Sequence, residues 1–239
     1  HFVNKEKRKP KKNRLVHLSD YRSAPKEWLG QAFIDEAEYI KETNPKVYEN
    51  EYLGLETGDG TNVFENLEIR EITDEEISHF DRLYKGIDWG WYPDPFAYNN
   101  MHFDMARRIL YIFDEFHANK MSNKATWEAL KEKGVTEEDY ITADSAERKS
   151  IEDYKSYGAY IRGAIKGAGS VEYSMKWLST LNKIVIDPVR CPKTAEEFEG
   201  YELEKDKDGN VITGYPDKNN HHIDDVRYAL EEIWRRKGQ

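Results

Sequence analysis

The sequence predicts an α/β fold: a mixed β-sheet flanked by helices, with an N-terminal helical and linker segment ahead of it. Two observations carry this. From residue 82, three strand patterns follow one another with only turns between them, which signals an antiparallel meander. Beyond residue 122, helical and strand periodicities alternate and end in an amphipathic helix, an order that covers a sheet with helices. The 239 residues are 38% hydrophobic and 13% aromatic, enough for a substantial core and too apolar for global disorder.

Element by element, residues 5–14 are a basic run, either a solvated loop or an arm that contacts phosphates. Leu15-Val16-His17-Leu18 reads as a short strand. Pro25 opens a helix whose apolar stripe, Trp28, Leu29, Phe33, Ala37 and Ile40, recurs at helical spacing. Asn44-Pro45 ends it, and a second short helix follows over 47–52. Gly54, Gly58 and Gly60 punctuate a turn-rich segment running to Phe64. Residues 1–64 therefore read as a basic segment and linker, and 65–239 as the main domain.

In that domain the run from Leu83 to Asp88 is a strand that turns at Trp89-Gly90. Strands over 95–103 and 108–116 follow, with 101–107 holding the turn. Next come a helix over 123–133 ended by Gly134, a strand over 140–144, a helix over 146–157 closed by Gly158 and a strand over 160–164. A helix over 170–182, a strand over 183–187 and a helix over 193–200 complete the alternation. Lys207-Asp208-Gly209-Asn210 signals a hairpin across 201–215. The last helix, 223–236, carries Ile223, Val226, Ala229, Leu230 and Ile233 on one face.

The net charge of −10 argues at first sight against a nucleic-acid partner. Its distribution softens this. Residues 1–26 hold nine Lys/Arg and two Asp/Glu, a balance of +7, which leaves −17 for the rest. An acidic body either repels DNA or holds carboxylates clustered around cations, and net charge does not decide between them. No stretch is apolar enough to span a bilayer and no signal pattern is visible, so an intracellular protein without a membrane partner is expected. Cys191, the single cysteine, can form no internal disulfide and is expected to be buried and inert. No glycine-rich stretch ends in the Gly-Lys-Ser/Thr of a P-loop, so this chain alone is not expected to hydrolyse ATP.

Asp88 and Asp144 each end a strand, and Asp224 and Asp225 start the last helix just after His221-His222. Strand ends and helix starts are where α/β folds build sites. Carboxylates converging from three elements would bind hard divalent cations, and two such ions can clamp the attacking and leaving oxygens of a phosphodiester. Taken singly, each Asp is more often a turn former or helix cap than a ligand.

Four ordered motifs sharpen this: Gly86-Ile87-Asp88-Trp89-Gly90, Thr142-Ala143-Asp144-Ser145-Ala146-Glu147, Lys166-Gly167-Ala168-Gly169-Ser170 and His221-His222-Ile223-Asp224-Asp225-Val226-Arg227-Tyr228. Together, over roughly residues 82–236, they resemble the nuclease domain of tailed-phage large terminase subunits. Residues 15–64 resemble the segment that joins the ATPase domain to the nuclease in those proteins. The resemblance implies an RNase H-like fold and a metal-dependent endonuclease that cuts double-stranded DNA with little sequence specificity during genome packaging, in the host cell cytoplasm. It also implies an ATPase domain, absent from these residues, so the chain reads as a fragment or an excised domain. The small terminase subunit and the portal protein are the further partners it implies.

Residue by residue, the resemblance puts the family's metal-binding carboxylates on Asp88, Asp144 and Asp224. His221 becomes an auxiliary ligand or proton carrier, and the cofactor Mg²⁺ or Mn²⁺, two ions. His222 is the alternative to His221, because the histidine is doubled. Asp225 either joins the metal site or faces solvent. Glu147 and Asp217 are second-tier candidates for ligands or their supports. Lys166 lies in a Gly-flanked loop and either contacts the DNA backbone or simply leads into a helix capped by Ser170. Arg227 and Tyr228 either brace the site or pack against the sheet, with packing the favoured reading. The rival readings are another RNase H-like phosphotransferase, such as a Holliday-junction resolvase, and a non-catalytic DNA-docking module of the packaging motor. A carboxylate-based glycosidase finds no support in these motifs.

Overall fold

The computed structural model describes residues 19–43, 48, 52–53, 61–204, 206, 211–212 and 214–236. The basic run at 5–14, the strand at 15–18, Asn44-Pro45, most of the helix at 47–52, Gly54, Gly58, Gly60 and the hairpin turn at 207–210 lie outside the described residues. The chain divides into two compact units, His1–Gly60 and Thr61–Gln239.

In the first unit, the Asp20 side chain accepts from Arg22 N at 2.9 Å and starts a 3-10 turn, Tyr21–Ser23. The single helix expected after Pro25 is two helices, α1 (Lys26–Leu29) and α2 (Gln31–Thr43). Gly30 breaks them apart with a φ of +75°, a conformation that costs glycine little. The apolar stripe is split accordingly: Trp28 is 81% exposed while Ala37 is buried. Tyr21 packs its ring against Phe33, Tyr48 and Tyr52, and its hydroxyl lies 2.8 Å from that of Tyr48.

The second unit holds a seven-stranded sheet in the order β1-β7-β4-β3-β2-β5-β6. Its strands are β1 (Leu67–Ile69), β2 (Leu83–Asp88), β3 (Phe96–Asp104), β4 (Ile109–Ala118), β5 (Ile141–Ala143), β6 (Ile161–Gly163) and β7 (Lys183–Ile186). The β2-β3-β4 meander is antiparallel and every other pairing is parallel. The turn expected at 101–107 is shorter, because both strands run on and Arg108 closes the turn at φ +54°. Strand β1 was absent from the predicted order; three half-buried residues give no period to read.

The helices are α3 (Asp74–Ser78), α4 (Asn123–Glu132), α5 (Arg148–Ser156), α6 (Ser170–Ser179), α7 (Pro192–Gly200), α8 (His221–Ala229) and α9 (Glu231–Arg236). Helix α3, also unanticipated, opens with a capping box between Thr73 and Glu76. The last predicted helix is broken in two at Leu230. Among the described residues no helix is long and apolar enough to cross a membrane.

Strand periodicity places the two main cores on opposite faces of the sheet. Met101 and Phe103 of β3 join Ile223 and Val226 of α8 in one cluster. Phe96 and Tyr98, of opposite parity, join Trp127 of α4, Ile87 of β2 and Ala143 of β5 in the other. Cys191 is buried in the first core, as a small apolar residue would be.

Candidate active site

Strands β2 and β5 are parallel neighbours in which Ile87 lies opposite Ala143. Each is followed by an aspartate, so Asp88 and Asp144 leave the sheet side by side, and Asp144 N donates to Ile87 O at 2.9 Å. Ile87 and Ala143 point into the α4–α5 core. One residue further on, the period of two turns Asp88 to the other face, under α8. Gly86 shares that parity, and a Cβ there would stand 2.6 Å from the Asp225 carbonyl carbon, closer than atoms can pack. Glycine therefore lets α8 lie directly on β2.

Helix α8 presents His221 and Asp224 on one face, three residues apart. His221 Nδ1 lies 3.0 Å from Asp88 Oδ2, and its Nε2 lies 3.6 Å from Asp94 Oδ1. Burial pushes the Asp88 carboxyl up to about 6, against the hydrogen bond from His221, and the charges of Asp224 and Asp144 add to the rise. Asp88 in turn raises the His221 imidazole above its usual range, against the effect of burial. Burial likewise raises Asp224, with Arg227 and Lys166 opposing. The three aspartates thus share one electrostatic environment.

Each carboxylate has a basic partner. Lys166 Nζ pairs with Asp144 and stands 4.8 Å over the Tyr228 ring. Arg227 pairs with Asp224 through one guanidinium nitrogen and donates from Nε to Ser174 Oγ at 2.6 Å. Of the two readings of Arg227, the geometry matches the bracing one: its guanidinium holds the Asp224 carboxylate. Asp144 Oδ1 also accepts from Ala146 N at 2.8 Å, which fixes its rotamer.

The other predicted residues go elsewhere. His222 is wholly buried with its ring turned away from His221: Nδ1 is 2.7 Å from Asn99 Oδ1 and Nε2 is 3.0 Å from His117 Nδ1. Burial first, then the neighbouring histidines, hold it well below the usual imidazole range, so it is neutral. Asp225 does not face solvent; it is fully buried, and burial keeps its carboxyl well above the usual range. The Asn99 amide nitrogen reaches Thr194 Oγ1 at 2.8 Å, and Thr194 Oγ1 reaches Glu115 Oε2 at 2.7 Å. Turned over, the same amide donates to both Asp225 oxygens at 3.0 and 2.9 Å, the orientation an ionised Asp225 would select. Glu147 is exposed on the wall of a neighbouring cleft, and Asp217 is exposed on the segment before α8.

Glu197 of α7 was not singled out in the sequence. Its carboxylate accepts from His222 N at 2.7 Å and Ile223 N at 3.3 Å, satisfying free amides in the first turn of α8. The N-cap residue Asn220 makes no such bond. Burial raises Glu197 to about 7. No local pattern betrays it, since its partners lie 25 and 26 residues away.

Among the described residues, no three His, Cys, Asp or Glu side chains already stand close enough to cage a metal ion. The donor chemistry nevertheless fits a hard divalent cation: three carboxylates and one imidazole, with no thiolate.

A family model described as a terminase RNAseH like domain matches residues 88–232. The large terminase subunit of Bacillus phage SPP1 is 42% identical over 230 residues, which is 95% of this chain and 54% of that protein. The PBSX phage terminase large subunit of Bacillus subtilis (strain 168) is 28% identical over 209 residues, 86% of this chain and 48% of that protein. The chain thus spans about half the length of these curated relatives. The crystal structure of the SPP1 large terminase nuclease domain, solved with bound Mn, superposes with a TM-score of 0.66 at 42% identity. That match covers 71% of this chain and 97% of that one, and the mixed sheet described above is its RNase H-like fold.

Proposed function

The chain belongs to the terminase RNase H-like domain family, and from that premise we propose that it is the DNA-cutting domain of a large terminase subunit. The reading is a metal-dependent endonuclease that hydrolyses phosphodiesters of double-stranded DNA with little sequence preference. The observation that carries it is the common face formed by Asp88, Asp144, Asp224 and His221 where β2 and β5 end beneath α8.

Asp88, Asp144 and Asp224 would hold Mg²⁺ or Mn²⁺, two ions in the full reading, with His221 at their edge. Such ions, when bound, supply Lewis-acid charge to the scissile phosphate and activate water for in-line attack. The chain's own groups do the rest. Asp88 raises the His221 imidazole above its usual range, against burial, which favours the protonated form that would deliver a proton to the leaving oxygen. Arg227 and Asn220 fix the Asp224 rotamer. Lys166, at the rim, would lend positive charge to the transition state or the adjoining phosphate.

The first unit would link this domain to an ATPase domain, and the small subunit and portal would restrain cutting to packaging in the host cytoplasm. No motif for entering a groove is present, which accords with weak base readout. Plasmid cleavage with Mn²⁺, Mg²⁺ or EDTA, alongside Asp88→Ala and Asp224→Ala, tests the reading. Metal-dependent cutting lost in both variants supports it; a folded parent that never cuts refutes it for the isolated chain.

A further inference from the structure

We propose that the cleft beside Asp144 binds an unpaired stretch of the DNA strand, with a base stacked on Trp91 or Tyr92 and the phosphates facing Lys120 and Lys124. This rests on the nuclease reading above and names a second subsite for its substrate.

The cleft has a volume of about 490 Å³ and lies between the 89–91 loop and the first turns of α4 and α5. It adjoins the candidate site through Trp89, which follows Asp88 in the chain and donates from Nε1 to Asp144 O at 3.0 Å. The Trp89 ring meets Phe96 and Tyr154 edge-on, so this wall is fixed by the core. Beyond it, Trp91 is 57% and Tyr92 66% exposed. Two adjacent large aromatics left open on a charged protein form the kind of apolar patch that marks a binding surface. The loop bearing them is tied down, since Lys120 N donates to Trp91 O at 2.8 Å.

The charges favour a phosphodiester. Lys120 Nζ stands 4.4 Å over the Tyr92 ring, leaving its ammonium free to meet an anion. Lys124 lines the cleft and makes no ion pair among the described residues. Elsewhere on these two helices, Lys131 pairs with Glu128 and Lys155 with Glu152. The first turns of α4 and α5 add their positive dipole ends. Glu147 and Asp153 also line the cleft, and Asp153 is held by Asn123 Nδ2 at 2.9 Å. That wall repels phosphate and suits a base edge, which orients the strand with its backbone toward Lys120 and Lys124.

The size excludes a duplex, whose width far exceeds the cleft, and accommodates a nucleotide. Stacking requires an exposed base face, which paired DNA hides and single-stranded DNA offers. A strand freed next to the cut meets both conditions.

The experiment is fluorescence anisotropy of a labelled oligothymidylate and of a matched duplex, with Mn²⁺-dependent plasmid cleavage by the parent run in parallel. Trp91→Ala and Tyr92→Ala should each weaken oligothymidylate binding by about tenfold. Trp91→Phe should restore it, Lys124→Glu should weaken it several-fold, and duplex affinity should change little. Both aromatics are exposed, so unchanged thermal melts are expected, and Trp91→Phe separates stacking from bulk. A parent that cuts plasmid but binds oligothymidylate equally well as Trp91→Ala overturns the cleft and leaves the nuclease standing. Equal losses for duplex and single strand also overturn it. A parent that never cuts overturns the nuclease reading and this subsite with it.

Discussion

Gly86 lies directly beneath Asp225: any Cβ on the glycine would overlap the Asp225 carbonyl group and stand 3.2 Å from the Ala229 Cβ. Strand β2, which ends in Asp88, and helix α8, which carries His221 and Asp224, are thus held together backbone to backbone. The Gly-Ile-Asp motif is a packing device as well as the carrier of a proposed ligand.

Gly86→Ala should therefore displace α8. We expect a loss of about 3 kcal/mol from overpacking, and a fall in cleavage of about a hundredfold, because a shift on the order of 1 Å misaligns His221 and Asp224. Gly200, which has open space around it, is the control, and Gly200→Ala should change stability by less than about 0.5 kcal/mol. Urea melts and cleavage assays check both; parental behaviour of Gly86→Ala would contradict the packing account.

Asp88→Asn should stabilise the metal-free protein while abolishing cleavage. The folded carboxyl titrates at about 6 against a model value of 3.8, so the folded state holds its proton more tightly than the unfolded chain. The sign follows: the charged form penalises the fold by roughly 3 kcal/mol above pH 6, and the penalty fades as pH falls toward 4. In EDTA the variant should melt several degrees above the parent at pH 8, with the gap closing toward pH 4. A variant melting below the parent at pH 8 would count against it. Mn²⁺ should raise the parent's melting temperature and leave the variant's nearly unchanged.

Glu197→Ala should leave the first-turn amides of α8 without their acceptor, at a cost of about 1–3 kcal/mol. Glu197→Gln keeps an acceptor oxygen and removes a carboxylate that titrates near 7, so it should match or exceed parental stability at pH 8. Its folded pKa is raised, so any gain over the parent should vanish as pH falls toward the model value of 4.5. Differential scanning calorimetry at two pH values separates these outcomes.

Lys166→Met should tighten Mn²⁺ binding, because the ammonium pairs with an Asp144 oxygen that the metal would take. The pair is part-exposed, so the gain should be at most about fivefold. Isothermal titration calorimetry at low salt measures it, and weaker Mn²⁺ binding by the variant would show that Lys166 does not compete for Asp144.

The positions of Asp88 and Asp144 were legible because each ends an apolar strand, and strand ends define where side chains leave a sheet. His221 and Asp224 came with the resemblance, while the helix expected over 223–236 left His221 outside; the structure starts α8 at His221 and so puts both on one helix face. The roles of His222 and Asp225 were not legible. They are neighbours of those two residues in sequence, but the helical period swings them toward Asn99 of β3, His117 of β4 and Thr194 of α7. Arg227, open to bracing the site or to packing in the sequence reading, pairs with Asp224 three residues earlier on the same helix.

The motif order that aligns three aspartates with a histidine is what the resemblance implied; by itself, the sequence determined the alternation of strands and helices and the meander over 83–116. These depend on local period and spacing, which the chain carries wherever it goes. The tertiary structure alone decided the parallel register of Ile87 with Ala143, the cap that Glu197 places on α8 and the burial that moves Asp88 to about 6. Each joins residues far apart in the chain, and their energies arise from packing and from exclusion of water, neither of which exists until the sheet and its helices have come together.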